Sequence, residues 1–247
     1  MKPHRISWTE QTWNPVSGCT PISPGCQNCY AMPMAARLQK MGVKGYENGF
    51  AVTVHPERYT QPCHWRKPRM IFVCSMADLF HDNVPDVVIC SVYLTALTCS
   101  HHIFQVLTKR PERIGRTVFK DMIENVWLGV TVESQEYVSR IEPLLAVKGH
   151  GKRFVSVEPM LGRVTIPKKM LKRLDWVIIG CESIGGRVGR LPHDSRHVWI
   201  DNALALVDQC KAANVPVFVK QIPGPTGMVC KDVTKFPPSL RHREFPK

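Results

Sequence analysis

Three cysteines, Cys19, Cys26 and Cys29, share the run from Trp13 to Ala31 in a C-x6-C-x2-C pattern, with glycines at 18 and 25 and prolines at 15, 21 and 24. Thiolates are soft ligands, and a closed structural site normally takes four protein ligands. Three thiolates leave one coordination position for an outside ligand, which is where a metal does chemistry. The pattern suits a 4Fe-4S cube with one open iron, a zinc whose fourth ligand lies elsewhere, or three thiols without metal. Spacing alone does not separate a redox cluster from a Lewis-acid zinc. The Gly and Pro residues suit a loop that turns back on itself, which a helix cannot do. Cys63 with His64, and Cys230, are candidates for a fourth protein ligand. Cys74, Cys90, Cys181 and Cys210 stand singly in apolar stretches and read as small buried side chains.

A loop of this kind needs a scaffold. Short β-branched and aromatic runs recur at 51–54, 70–74, 103–107, 126–132, 153–157, 176–179 and 215–219, each followed by a segment long enough for a crossover helix. Ile6-Ser7-Trp8 is a candidate for one more strand. The rhythm predicts a single α/β domain over residues 1–247, a complete or partial (β/α) TIM-like barrel with an irregular tail from about 223. A doubly wound sheet is the alternative, although no G-x-G-x-x-G opens a helix after the first strand.

Polar or ionisable residues follow the strands: His55 and Glu57, Ser75 and Asp78, Lys109 and Arg110, Glu133, Glu158, Glu182 and Ser183, Lys220 and Gln221. Parallel strands put such ends on one face, the face on which barrels build their sites. Asp78, Glu158 and Lys220 are the catalytic candidates. His81 is close enough in sequence to Asp78 to share a proton with a substrate or to cap the next helix.

The formal charge is +13, from 33 Lys and Arg against 20 Asp and Glu. That excess favours a polyanionic partner, nucleic acid first, with Arg66, Lys67 and Arg69 as candidate phosphate contacts. Trp13 and Tyr30 are candidates for stacking on a base or for packing around the cysteines. No apolar stretch is long enough for a membrane span, and the start, Met1 to Trp8, lacks the apolar core of a leader, so a cytoplasmic protein with no membrane partner is expected.

The phrases TWNPVSGCTPISPGCQNCYA, FVCSMADLFHDNVP, VLTKRPERI, VWLGVTVES, VSVEPMLG and VIIGCES together resemble a phage-associated, radical S-adenosylmethionine (SAM)-like family of undefined function. The resemblance runs from about Trp8 to Gln221. It implies a 4Fe-4S cluster on Cys19, Cys26 and Cys29, with SAM chelating the open iron through its amino and carboxylate groups. It also implies an electron donor, reductive cleavage of SAM and hydrogen abstraction from a substrate. Lys109, Glu133 and Glu182 are then the residues expected to shape the SAM site. The first cysteine gap is six residues where the wider superfamily most often has three, and GCES stands where related proteins carry GGES, so Cys181 replaces a glycine.

Three functions follow from these observations. One is a radical SAM enzyme that modifies or repairs a nucleobase. Another is a zinc-stabilised nucleic-acid-binding protein without catalysis. The third is a metal-dependent hydrolase using Asp78, Glu133, Glu158 and Glu182 as ligands.

Overall fold

The computed structural model describes residues 6–247. The reading of the N-terminus therefore lies partly outside the described residues. The protein is a mixed α/β structure with a mostly parallel sheet. Packing divides it into two compact units, one of residues up to Ile22, Cys29–Gly129 and Ala146–Gly151, the other of Ser23–Asn28, Val130–Leu145 and Lys152–Lys247.

In the first unit the strands are β1 (Gln11–Trp13), β2 (Met70–Val73), β3 (Ile103–Thr108) and the first part of β4 (Val126–Thr131), paired in that order. β1 to β3 are parallel, with Trp13 opposite Val73 and Val73 opposite Val106. Helix α1 (Ala31–Lys40) follows the cysteine loop, and α2 (Asp86–Thr98) forms the crossover between β2 and β3. Pro85 precedes α2, and Asp86 in its first turn suits the positive end of the helix dipole while pairing with Arg113 at 2.6 Å.

The second unit continues from the end of β4 to β5 (Lys152–Val157), β6 (Trp176–Gly180), β7 (Val217–Pro223) and β8 (Val229–Cys230), again in chain order. β5, β6 and β7 are parallel, and β8 turns back antiparallel to β7. Every residue of β6 is buried, as expected of a strand covered on both faces. The connections carry helices α3 (Ile141–Ala146), α4 (Lys168–Leu171) and α5 (Arg196–Ala212). Ser195 caps α5 by accepting from the Val198 N–H at 3.4 Å, and the helix buries Trp199, Ala203, Leu206, Val207 and Cys210, one stripe at helical spacing.

Each strand is flanked by its sequence neighbours, so the order never reverses as it must in a doubly wound sheet. Two strand expectations fail. Ile6 to Trp8 is coil and turn, and the first sheet strand is Gln11–Trp13. Of residues 51–54 only Thr53–Val54 is extended, and it pairs antiparallel with Val16–Ser17 outside the main sheet. After Pro223 the chain forms short turns at Val233–Lys235 and Pro238–Leu240, and Phe245 packs on Trp176 and Phe218 with ring centres 5.2 and 5.3 Å away. Among the described residues no helix is long and apolar enough to cross a membrane.

Candidate active site at the cysteine loop

In the first unit the approach to Cys19 is fixed by backbone. The Gly18 N–H donates to Met76 O at 2.9 Å and the Cys19 N–H to Phe50 O at 3.2 Å. Gly18 has φ +84°, and a side chain there would run into the main chain of Ala51, so only glycine fits. Thr20, the next residue after Cys19, is gripped from two strand ends. Arg110 donates to its carbonyl at 3.1 Å and to its hydroxyl at 2.9 Å, and the His81 Nε2 lies 2.8 Å from the same hydroxyl. The Asn83 N–H donates to His81 Nδ1, so the neutral ring carries its proton on Nε2 and donates it to Thr20. Burial, followed by the charge of Arg110, pushes the His81 pKa below its usual value.

The ends of β1, β2 and β3 are tied to one another by two acceptors, the half-buried Asn14 and the buried Asp78. Asn14 Oδ1 accepts from the Ser75 hydroxyl at 3.1 Å and the Met76 N–H at 3.2 Å. The Asp78 carboxylate accepts from the Thr108 hydroxyl at 2.7 and 2.9 Å, the Lys109 N–H at 2.9 Å and the Phe80 N–H at 3.0 Å. Tyr30, one residue beyond Cys29, donates its hydroxyl to the Ser75 carbonyl.

The middle of the loop, Ser23–Asn28, packs with the second unit and meets a different chemistry there. Ser23 donates to the carboxylate of Glu133, which is fully buried and paired with Arg140 at 2.6 Å. Arg140 also donates to the Thr131 carbonyl at 3.0 Å and lies over the Tyr137 ring at 4.2 Å. Gly25 sits against this carboxylate; a Cβ at Gly25 would fall 2.5 Å from Glu133 Cγ. Arg190 reaches the loop twice, at the Pro24 carbonyl (2.8 Å) and the Gln27 side chain (2.6 Å). Its other contacts are with Glu182, whose Oε2 accepts from the Arg190 N–H at 2.7 Å and from Nε at 3.0 Å. Burial alone would raise the Glu182 pKa, but hydrogen bonds from Arg190 and Asn28 outweigh it and hold the carboxyl below its usual range.

A family model matches residues 3–236. The chain belongs to that family, described as "Protein of unknown function (DUF5131)". No curated protein matches it in sequence. Among solved structures, a spore photoproduct lyase complexed with dinucleoside spore photoproduct superposes with a TM-score of 0.40 at 11% identity, over 67% of this chain and 54% of that one. A mutant of the lyase with bound AdoMet and dinucleoside spore photoproduct gives 0.43 at 9% identity, over 77% and 60%. The DUF5131 chain thus spans little more than half the length of either, and at these values neither likeness carries information about its activity.

Within this DUF5131 member the expected site residues separate. Cys19 and Cys29 belong to the first unit with Asp78 and Lys109; Cys26 belongs to the second with Glu133, Glu158, Glu182 and Lys220. All three cysteines are half-buried and free of disulfides, Cys19 and Cys29 outside regular structure and Cys26 at the end of the single 3-10 turn Pro24–Cys26, a donor set that fits a soft metal cofactor. Among the described residues no group of three or more His, Cys, Asp or Glu side chains is gathered as a single-ion site. Glu158 and Lys220 form a half-buried ion pair. Arg66 and Lys67 are exposed, while Arg69 is half-buried with its guanidinium 5.9 Å from the Trp65 ring centre. Trp13 is fully buried with its indole N–H on the Arg58 carbonyl at 2.8 Å, which rules out its stacking on a base. Cys90 is only half-buried, unlike Cys74, Cys181 and Cys210. His81 caps no helix, because its ring holds Thr20. Sequence reasoning missed Ser23, Arg140 and Arg190, which have no motif; only Gly25, a glycine directly before Cys26, hinted at a tight neighbour.

Proposed function

We propose that this chain is a radical SAM-like enzyme in which Cys19, Cys26 and Cys29 hold a 4Fe-4S cluster and leave one iron to SAM, on a partial (β/α) barrel, with a nucleobase in nucleic acid as substrate. The supporting observation is the pinning of a Gly- and Pro-rich three-cysteine loop by residues that follow parallel strands: His81 and Arg110 at Thr20, Glu133 at Ser23, Arg190 at Pro24 and Gln27. A loop whose only regular structure is the turn Pro24–Cys26 is pre-organised by charge and hydrogen bonds, as a site must be that holds a reactive group in one geometry. When bound, the group supplies one-electron chemistry, taking an electron from a donor and cleaving SAM so that hydrogen can be abstracted from the substrate.

The chain's own residues divide that work. Glu133 and Glu182 shape the SAM site through the loop, since their carboxylates are engaged by Ser23 with Arg140 and by Arg190. Asp78 acts as a positioning residue whose carboxylate holds the turn into Lys109, leaving the half-buried Lys109 ammonium for an anionic group. Glu158, directly after β5, and Lys220, which lies in the middle of β7 and not beyond its end as the sequence suggested, form an ion pair and are the groups offered to substrate. Exposed Arg66 and Lys67, with Arg69, extend the positive surface. Reversing their charge should flatten the dependence of log affinity on log salt, by about 0.9 for each duplex phosphate that the variant no longer neutralises.

The test is anaerobic reconstitution. Wild-type protein should bind about four irons and the same amount of sulfide by the three-thiolate precedent and turn brown. Cys19→Ala, Cys26→Ala and Cys29→Ala should each lose the colour, while Cys90→Ala keeps it. SAM should perturb the magnetic resonance spectrum of the reduced protein. Stoichiometric zinc without iron, in protein made under iron-replete anaerobic conditions, overturns the reading.

A further inference from the structure

A second pair of sulfurs lies away from the cysteine loop in chain position and wholly within the first unit. Cys63 sits in the short turn Gln61–His64, and Cys99 directly follows α2. Their Sγ atoms are 2.8 Å apart, across 36 residues of chain. A covalent S–S bond is about 2.05 Å, so less than 1 Å of approach separates this contact from a disulfide. The two thiols also differ in access. Cys63 is exposed, whereas Cys99 is buried. Burial, then the hydrogen bond to Cys63, pushes the Cys99 thiol up to about 12, so Cys63 is the thiol open to an outside oxidant and Cys99 must give up its proton as it reacts.

We propose that Cys63 and Cys99 are a reversible redox pair, with Cys63 the attacking thiol and Cys99 the resolving one, oxidised by small-molecule disulfides. In the first step the Cys63 thiolate attacks a disulfide RSSR, forming a Cys63–SR mixed disulfide and releasing RS⁻, which takes up the proton that Cys63 lost. In the second step Cys99 attacks the Cys63 sulfur and expels the other RS⁻, to which its own proton passes. Two thiols are oxidised to one disulfide, and RSSR is reduced to two RSH. The contact needs no large rearrangement, because the turn is already held against this part of the unit: the Pro62 carbonyl accepts from His102 Nε2 at 3.1 Å, and His102 follows Cys99 by three residues. A close-set pair with one exposed thiol, not locked as a structural bridge, is the kind that responds to redox poise.

Closure has a consequence beyond the two sulfurs. The turn Gln61–His64 supplies two walls of a polar cleft of about 440 Å³ whose other lining residues are Thr12, Asn14, Glu57, Arg58 and Thr60. Drawing Cys63 toward Cys99 moves Gln61 and His64 with it, so the oxidised and reduced forms present different clefts. Asn14 also holds the end of β2 through Ser75 and Met76, which connects the cleft to the site-bearing strand ends of the same unit.

The experiment exposes the full chain to a graded series of oxidised glutathione, alkylates the remaining thiols, and maps peptides by mass spectrometry. Expected is a linked peptide pair carrying Cys63 and Cys99, lighter by two hydrogens, that forms at lower oxidant than any other cysteine modification and disappears on adding dithiothreitol. Cys63→Ser should abolish it, and Cys99→Ser should leave Cys63 as a persistent glutathione adduct. Cys90→Ser, on α2 close by in sequence, should leave it intact. Peptide-level readout keeps this result separate from any oxidation of Cys19, Cys26 or Cys29. Independent alkylation of Cys63 and Cys99 after oxidant treatment, or a glutathione adduct on wild-type Cys63 that Cys99 never resolves, overturns the proposal.

Discussion

In the first unit, Thr20 rests between a neutral imidazole and Arg110, and Asp78 is satisfied by N–H and O–H donors; in the second, Ser23–Asn28 is held by the Glu133–Arg140 and Glu182–Arg190 pairs. The same loop is therefore anchored in the first unit by an imidazole and a guanidinium that bond a neutral threonine, and in the second by carboxylate–guanidinium pairs. The difference matters because the two fail in different ways. A buried carboxylate with three polar neighbours loses hydrogen bonds when it is removed, but a buried ion pair leaves behind an uncompensated charge.

The largest effect should come from testing that contrast directly. Glu133→Ala leaves Arg140 buried without its partner, which costs about 3–5 kcal/mol, and the double variant Glu133→Ala with Arg140→Leu should recover much of the loss. Asp78→Ala removes the acceptor for Thr108, Lys109 and Phe80, at a cost of roughly 1.5–3 kcal/mol, with no second substitution that restores it. Urea denaturation of the wild type and these variants measures both. Equal destabilisation of the single and double variants at Glu133 would show that the stranded charge is not the cause.

Two glycines sharpen the same comparison. Gly18→Ala meets the main chain of Ala51 at positive φ, where neither partner can yield, whereas Gly25→Ala meets the side chain of Glu133, which can turn away only by releasing Ser23. Both should cost about 1–3 kcal/mol, the range for forcing atoms into filled space. Only Gly25→Ala should depend on Glu133. Paired with Glu133→Gln, Gly25→Ala should show coupling in a double-mutant cycle, and Gly18→Ala with the same partner should be additive.

What was readable in the chain follows the same physical lines. The fully buried runs Val126–Thr131 and Trp176–Gly180 announce themselves by unbroken apolar character, and their order follows from the crossover segments between them. β1 escaped because two of its three residues, Gln11 and Thr12, are polar, while the β-branched Thr53–Val54 promised a sheet strand and found only Val16–Ser17 to pair with. At the site, acids that end strands were visible as Glu133 and Glu182, but their partners were not. Arg140 and Arg190 lie seven and eight residues further on, at the far side of a turn whose path no local pattern encodes. The contact between Cys63 and Cys99 was equally hidden, since it depends on where α2 ends relative to a turn 36 residues earlier.

The smallest effect is the response to acid, and it separates the two anchors most cleanly. His55, His81 and His102 are buried in the first unit, and burial pushes each below the ordinary value of 6.5. Between that value and the lower folded values, the unfolded chain binds protons that the native state refuses. Their contribution is complete above about pH 6.5 and is lost as pH falls through the folded values. Protonation also costs His81 its Nδ1 acceptor, which releases the Asn83 N–H. Glu182 is likewise lowered, from 4.5, so its contribution is complete above that value and lost only as pH falls below it. As pH falls from about 6.5 to about 4.5, the first anchor should loosen while the second holds. Two amides report this: Asn83 N–H, which donates to His81 at 3.1 Å, and Arg190 N–H, which donates to Glu182 at 2.7 Å. Hydrogen exchange, corrected for the intrinsic pH dependence of the rate, should show protection at Asn83 falling several-fold over that interval and protection at Arg190 unchanged. If both amides lose protection together, one cooperative unfolding governs them and the two anchors are not energetically distinct. If Asn83 holds, His81 is not the acid-sensitive grip on Thr20.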